Sequence, residues 1–368
     1  MTAADFTIGV EEEYQLVDRA SRAVAARVDD VLPAATARVG TDQVSHELKQ
    51  TQIEIGTPVR ETLDEVRAEL SRLRTEVGAA ANDRGLAIVA AGSHPTAPLV
   101  ADDFVDDPHY RELVERYAHL ARELVVFGCH VHVGVTDKEE AIAALNFVRP
   151  WLPVLLAVST SSPFWDGGDT GYASYRSEMF ARLPTAGLPE PFSSRAEFDE
   201  VVAQLLATDT IDAPTSVHWD ARPSARYETV EIRIADMCTS LDDAVLVAGL
   251  AGALVREGVA ARRSGKQVLS VRPEIVRAAR WRAARYGLTG DLIDVIDTCT
   301  RPASDVVTRL LELLTPALDR WGELDHVSGL VDQVLQRGTS AQRQRAVYDE
   351  RRSLTDVIDW LITETAPT

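Results

Sequence analysis

Cysteine, lysine and aromatic side chains are all scarce in this chain, and each scarcity removes a class of proteins. The three cysteines, Cys129, Cys238 and Cys299, lack CxxC spacing, which argues against a disulfide framework or a cysteine zinc site and fits a reducing compartment. Lysine is confined to Lys49, Lys138 and Lys266, and 38 basic against 57 acidic residues leave a net charge of −19. That balance repels a phosphate backbone and an anionic membrane, so an anionic substrate would need a metal ion or a focused arginine cluster. Long apolar runs are missing as well. The longest strongly apolar stretch, 244–255, is too short to span a bilayer, ends in Arg256 and Glu257, and reads as a buried helix. The opening MTAADFTIG has an acidic residue and no basic-then-apolar leader, so a cytoplasmic setting is expected.

What the chain does contain is a period-two alternation that recurs four times, each time bounded by turn residues. In DFTIGVEEEYQLV, Phe6, Ile8 and Val10 share one face, whereas Glu11, Glu13 and Gln15 share the other and Glu12 faces away from them. In KQTQIEIGTP, Ile53 and Ile55 oppose Gln52 and Glu54; in VVFGCHVHVGV, an apolar set with Cys129 in the core opposes His130 and His132. In ARYETVEIRIAD, Val230, Ile232 and Ile234 oppose Glu231 and Arg233. Each strand thus has one apolar face and one face whose ionisable groups stand two residues apart. Length alone suggests two domains, but strands scattered from residue 6 to 236 can share a sheet only within one unit, so a single domain over 1–368 is expected.

Helices are predicted between these strands. Leu63, Val66, Leu70, Leu73 and Val77 recur at helical spacing after Pro58 and before Gly85; a capping-box pattern runs from Ser194 to Glu197; another helix opens at Ser240. From there the chain reads as almost wholly helical, with breaks near Gly287, Pro302, Gly322 and Gly338. The stretch 161–192 stands apart, rich in Gly, Pro, Ser and aromatics. It is either an ordered surface loop or a functional one in which Arg176 and Arg182 bind phosphate or carboxylate and Tyr172, Tyr175 and Phe180 wall a pocket.

If the four strands are neighbours in one antiparallel sheet, a single face gathers Glu11, Glu13, Glu54, His130, His132, Glu231 and Arg233. Carboxylates crowded in one cleft repel unless a cation compensates, and an oxygen-rich set suits Mg²⁺ or Mn²⁺ carrying substrate phosphates. The ligand this implies is a metal-bound nucleotide, with Arg233 placed to hold a phosphoryl oxygen or a carboxylate. A lone strand glutamate such as Glu54 is more usually a solvated residue, and an HxH pair can include a plain core histidine. The argument therefore rests on the shared parity. Glu12, on the other face, reads as a structural ion pair whose substitution should be milder than that of its neighbours. Lys49, rare and just before a patterned strand, is a weaker candidate for phosphate binding.

The stretches IGVEEEYQLVD, ELKQTQIEIGTPV, GCHVHVGV, SSPFWDGGDTGYASYRSEMFARLPTAGLP and ARYETVEIRIADM, in this order, resemble the carboxylate-amine ligase family, also called glutamate–cysteine ligase type 2. The resemblance runs from about residue 6 to 240. It implies an α+β, glutamine-synthetase-like catalytic fold: a curved, mainly antiparallel sheet with helices on its outer face and a helical C-terminal third. It also implies ATP-dependent ligation of glutamate to an amine such as cysteine through an acyl phosphate, and a homodimer. Carried over by motif, Glu11, Glu13, Glu54, His130, His132 and Glu231 match metal-binding positions. Arg233 and Glu54 match catalytic ones, while Arg176, Arg182 and Lys49 are candidates for the nucleotide. Rival readings are a zinc hydrolase built on HxH, which the excess of carboxylates disfavours, and a non-catalytic nucleotide-binding protein, which the presence of Glu231 and Arg233 disfavours.

Overall fold

The computed structural model describes residues 6–97 and 103–367, without the side chain of His109. Its centre is a seven-stranded antiparallel sheet. The main strands are β1 (Ile8–Asp18), β2 (Val44–His46), β3 (Gln52–Gly56), β4 (Leu86–Val89) and β5 (Cys129–Gly134). A separate short hairpin, β6 (Phe164–Trp165) with β7 (Gly168–Asp169), precedes β8 (Ala221–Pro223) and β9 (Thr229–Ile232). The spatial order is β2-β3-β1-β5-β9-β8, and β4 pairs with the end of β1. The four patterned stretches are therefore consecutive neighbours, β3-β1-β5-β9, as their common parity requires.

The buried face of the sheet carries Ile8, Val10, Ile53, Ile55, Cys129, Val131, Val133, Val230 and Ile232. Two helices cover it. Leu63–Asn82 begins at a complete capping box between Thr62 and Glu65, and Leu241–Ser264 begins where the Ser240 side chain accepts from the Asp243 N–H and ends at left-handed Gly265. The second helix has 24 residues, so by length and composition it could cross a membrane, as could Lys138–Ser159. In each, 89% of the most apolar 18-residue window is buried inside the protein, as in a core helix. The 244–255 run, too short to span by itself, lies in a buried helix as expected, but Leu241 to Asp243 before it and Arg256 to Ser264 after it extend that helix to 24 residues.

Three further differences from the sequence reading have local causes. Residues 290–302 are not helical but form a hairpin, β10 (Asp291–Asp294) with β11 (Cys299–Pro302). The Asp294 carboxylate accepts from the N–H groups of Ile296 and Asp297 and fixes the turn. The capping box at Ser194 is half made: Ser194 accepts from the Glu197 N–H, but the Glu197 carboxylate turns to Ser193. The 161–192 stretch is ordered, with β6, β7 and a short helix, Tyr175–Phe180, in it. The side chains of Ser162 and Ser174 and the N–H of Ser161 all donate to the buried carboxylate of Asp236, which pins this stretch to the end of the sheet.

Candidate active site

Strand register builds the site on the uncovered face. Across adjacent strands Glu13 sits opposite Glu54, Glu11 opposite His130, and His132 opposite Glu231. Cross-strand partners bring their Cβ atoms to about 4.5–5.5 Å, so these side chains converge without any help from loops. They line a cleft of about 410 Å³, together with Arg233, Glu47, Arg222 and Tyr227. His46, Tyr110 and His218 close its other side.

The contacts form one connected set. His130 Nδ1 lies 3.3 Å from Glu11 Oε2, and its Nε2 lies 3.7 Å from Glu13 Oε1. His132 Nε2 is 3.3 Å from Glu11 Oε1 and 4.0 Å from Glu231 Oε1, while its Nδ1 meets Thr229 Oγ1 at 2.9 Å. Arg233 pairs with Glu231 through Nη1, which also lies 3.4 Å from His130 Nδ1. Glu13 Oε2 accepts from the Gly128 N–H at 2.7 Å. A Cβ on Gly128 would stand 2.4 Å from Arg176 Nη2 and 3.0 Å from His130 Nε2, so any side chain there would displace these two side-chain ends.

Charge is balanced unevenly across the cleft. Burial works against ionisation of Glu231, yet Arg233 and Arg222 hold its carboxyl far below the usual range. Burial opposes Glu11 too, and the facing imidazoles of His130 and His132 outweigh it and pull the carboxyl down. At the other end the lowering partners, the Leu48 N–H and Arg233 for Glu47 and the Ser45 hydroxyl for Glu54, do not offset burial. Burial, reinforced by Glu13 and Glu11, pushes Glu47 up to about 8. Glu54 is raised well above the ordinary value by burial and by Glu47, Glu11 and Glu13.

That imbalance is what a cation would relieve. Glu11, His132 and Glu231 present ligand atoms within 4.8 Å of one another, and Glu11, Glu54 and His130 do the same, so Glu11 is common to two candidate sites. His132 Nε2 is buried and makes no hydrogen bond. Each set has two carboxylates to one imidazole, a donor mixture that fits hard divalent ions better than zinc.

The signature of glutamate–cysteine ligase family 2 matches residues 7–358. The chain belongs to glutamate–cysteine ligase family 2. It is therefore an ATP-dependent ligase that forms carbon–nitrogen bonds. It is 39% identical to a protein of Herpetosiphon aurantiacus provisionally named glutamate–cysteine ligase 2, covering 98% of this chain and 93% of that one. A Salinispora arenicola protein with the same provisional name is 41% identical over 99% and 96% of the two chains. Against a relative from Frankia casuarinae, 40% identical, the chain spans only 41% of the longer protein. Among solved structures, the glutamate–cysteine ligase of Francisella tularensis in complex with AMP aligns at a TM-score of 0.71 and 13% identity, over 99% of this chain and 89% of that one. The bifunctional glutathione synthetase of Pasteurella multocida gives 0.70 and 16%, over 99% of this chain and 52% of that one. The fold of this family-2 ligase is thus the glutamine-synthetase-like one that the motifs imply.

Not every sequence candidate reaches the cleft. Arg182 pairs with Glu123 on the surface. Lys49 is wholly buried, with Nζ 3.5 Å from Asp103 Oδ1 and 3.7 Å from the Phe104 ring centre. Arg176 is buried behind Gly128, 3.9 Å from Asp236 and donating toward the Ile234 carbonyl. In the ligase as folded, these three residues meet protein partners and do not line the carboxylate cleft. Conversely, three charged cleft residues, Glu47, Arg222 and Arg226, escaped the sequence reading. Glu47 follows the short strand β2 with the parity of Ser45, which lies opposite Glu54. Arg222 lies directly opposite Glu231 on edge strand β8. The signals were there: Ser45 and Glu47 stand two apart, and Arg222 precedes a Pro-Ser-Ala turn that folds it back on the Glu231 strand. Strands of three residues are too short for periodicity to mark.

Proposed function

We propose that this ligase joins the side-chain carboxylate of an amino acid, glutamate by family, to an amine such as that of cysteine, using ATP with Mg²⁺ or Mn²⁺. The observation that carries this reading is the register that sets six metal-ligand candidates, Glu11, Glu13, Glu54, His130, His132 and Glu231, beside Arg233 in one cleft. Glu47 joins them as a further carboxylate for the cation. These side chains would hold the divalent ion, which would supply neutralisation of the phosphate charge.

The chemistry asked of the protein is mostly positioning. An oxygen of the substrate carboxylate attacks the γ-phosphorus, the bond to the ADP oxygen breaks, and an acyl phosphate forms. The amine nitrogen then attacks the acyl carbon, inorganic phosphate leaves, and the nitrogen loses its proton. Arg233, held by Glu231 at the cleft floor, is placed to meet the charge that spreads over the phosphoryl oxygens. The cysteine and cytoplasmic assignments follow from family and composition, and a panel of amino acids and amines assayed for ATP turnover identifies the acceptor.

The deciding variant is Glu54→Gln. Magnesium-ATP-dependent phosphate release in the presence of glutamate and cysteine should fall by at least a hundredfold with the fold intact by circular dichroism. Activity retained in that variant would remove Glu54 from the site.

A further inference from the structure

The β8–β9 hairpin forms one wall of the cleft, and two of its side chains, Arg222 and Thr229, touch the candidate ligands Glu231 and His132. Arg222 is almost wholly buried and lies opposite Glu231 in the register. Its Nε donates to Glu231 Oε2 at 2.8 Å and its Nη2 reaches Oε1 at 3.4 Å. Its Nη1 donates to the carbonyls of Thr215 and Val217. Four contacts from one planar guanidinium leave it no rotational freedom, so it fixes the carboxylate plane as well as its charge. Glu231 Oε2 is thereby engaged on the hairpin side, and Oε1 is the oxygen that faces His132 and Arg233. On the same hairpin, Thr229 Oγ1 lies 2.9 Å from His132 Nδ1. With Nδ1 engaged there, Nε2 is the nitrogen directed at Glu11 and Glu231, and it is buried with no hydrogen bond of its own.

We infer that the β8–β9 hairpin is the orienting layer of the metal site, with Arg222 and Thr229 as positioning residues that aim Glu231 Oε1 and His132 Nε2 at a shared divalent cation. The inference rests on the proposed metal-dependent reading and adds to it two residues that no motif singles out as ligands. Residues that hold metal ligands in place commonly contribute ten- to a hundredfold in metal affinity without touching the ion. Arg222 also ties the 215–217 segment to the sheet, so the aim of Glu231 and the wall beside it are set by one side chain.

The test measures Mn²⁺ binding to the intact protein by electron paramagnetic resonance and calorimetry, with no nucleotide present. Arg222→Lys and Thr229→Val should each weaken the Mn²⁺ affinity about 10–100-fold, and Thr229→Ser, which restores the hydroxyl, should recover it. Because Arg222 is buried, loss of structure must be separated from loss of aim. Arg280→Lys serves for that: Arg280 holds Asp220, the residue before β8, at 2.7 Å and does not line the cleft. It should lower thermal stability and leave Mn²⁺ affinity within twofold of wild type. Unchanged Mn²⁺ affinity in Arg222→Lys and Thr229→Val, with wild type binding normally, would overturn the positioning role alone. Failure of the wild type itself to bind Mn²⁺ would overturn the metal site and the inference together.

Discussion

Glu12 sits between two cleft carboxylates and has the opposite fate. Its side chain passes to the helix-covered face, fully buried, where Arg74 donates to both of its oxygens and the Tyr14 hydroxyl adds a further bond. Arg74 in turn donates to the carbonyls of Thr239 and Cys238, so one ion pair ties β1 to the helix Leu63–Asn82 and to the start of the helix at Leu241. Parity correctly separates Glu12 from its neighbours, but the expectation that its substitution is mild applies to the chemistry and not to the fold. Glu12→Gln leaves a buried guanidinium uncompensated and should cost about 3–5 kcal/mol, measured by denaturant unfolding. Glu11→Gln and Glu13→Gln leave no buried guanidinium uncompensated, so they should abolish ligation at a smaller cost in stability than Glu12→Gln. Equal destabilisation by all three would contradict the opposed faces.

At the scale of elements, the sheet presents its acidic face on one side because the helices Leu63–Asn82 and Leu241–Ser264 cover the apolar other side. The helix Leu241–Ser264 lies against Lys138–Val148 so closely that a Cβ on Gly258 would stand 2.8 Å from the Cα of Ala144 and 2.9 Å from the Cβ of Phe147. Backbone and Cβ atoms cannot swing aside as a side-chain tip can. Replacing glycine by alanine inside a helix normally gains about 1 kcal/mol, whereas overpacking a rigid contact costs about 1–3 kcal/mol. Gly258→Ala should therefore be net destabilising, with a lower denaturant midpoint and an unchanged slope. A gain in stability would show that the two helices can move apart freely.

For the whole molecule, the consequence of a net charge of −19 with at least five carboxylates in one cleft is stored repulsion. Burial and mutual repulsion keep Glu47 and Glu54 from ionising readily, so a cation that binds there stabilises the folded chain by mass action. At a hundred times its dissociation constant, Mg²⁺ should add about 2.7 kcal/mol, visible as a melting temperature that climbs with Mg²⁺ and returns on chelation. A melting temperature indifferent to both Mg²⁺ and Mn²⁺ at millimolar concentration would remove the stabilising cation. A matching rise with NaCl at equal ionic strength would reassign the effect to screening.

Strand parity is a local property, dictated by two-residue alternation. It was therefore legible in the letters that Glu11, Glu13, Glu54, His130, His132, Glu231 and Arg233 belong to one class of face and Glu12 to the other. The helices opening after Pro58 and at Ser240 were legible for the same reason, since their signals are local, although the Thr62 cap itself emerged only in the fold. What the letters could not supply was register, because which residue faces which depends on hydrogen bonds between segments far apart in the chain. Only the folded sheet decided that Glu11 would be common to two candidate metal sites and that Glu47 and Arg222 would join the cleft. It also decided that Lys49, Arg176 and Arg182 would be taken up by protein partners. Cationic side chains have no parity of their own in loops, and their destination is settled by whichever carboxylate or carbonyl the tertiary structure brings within reach.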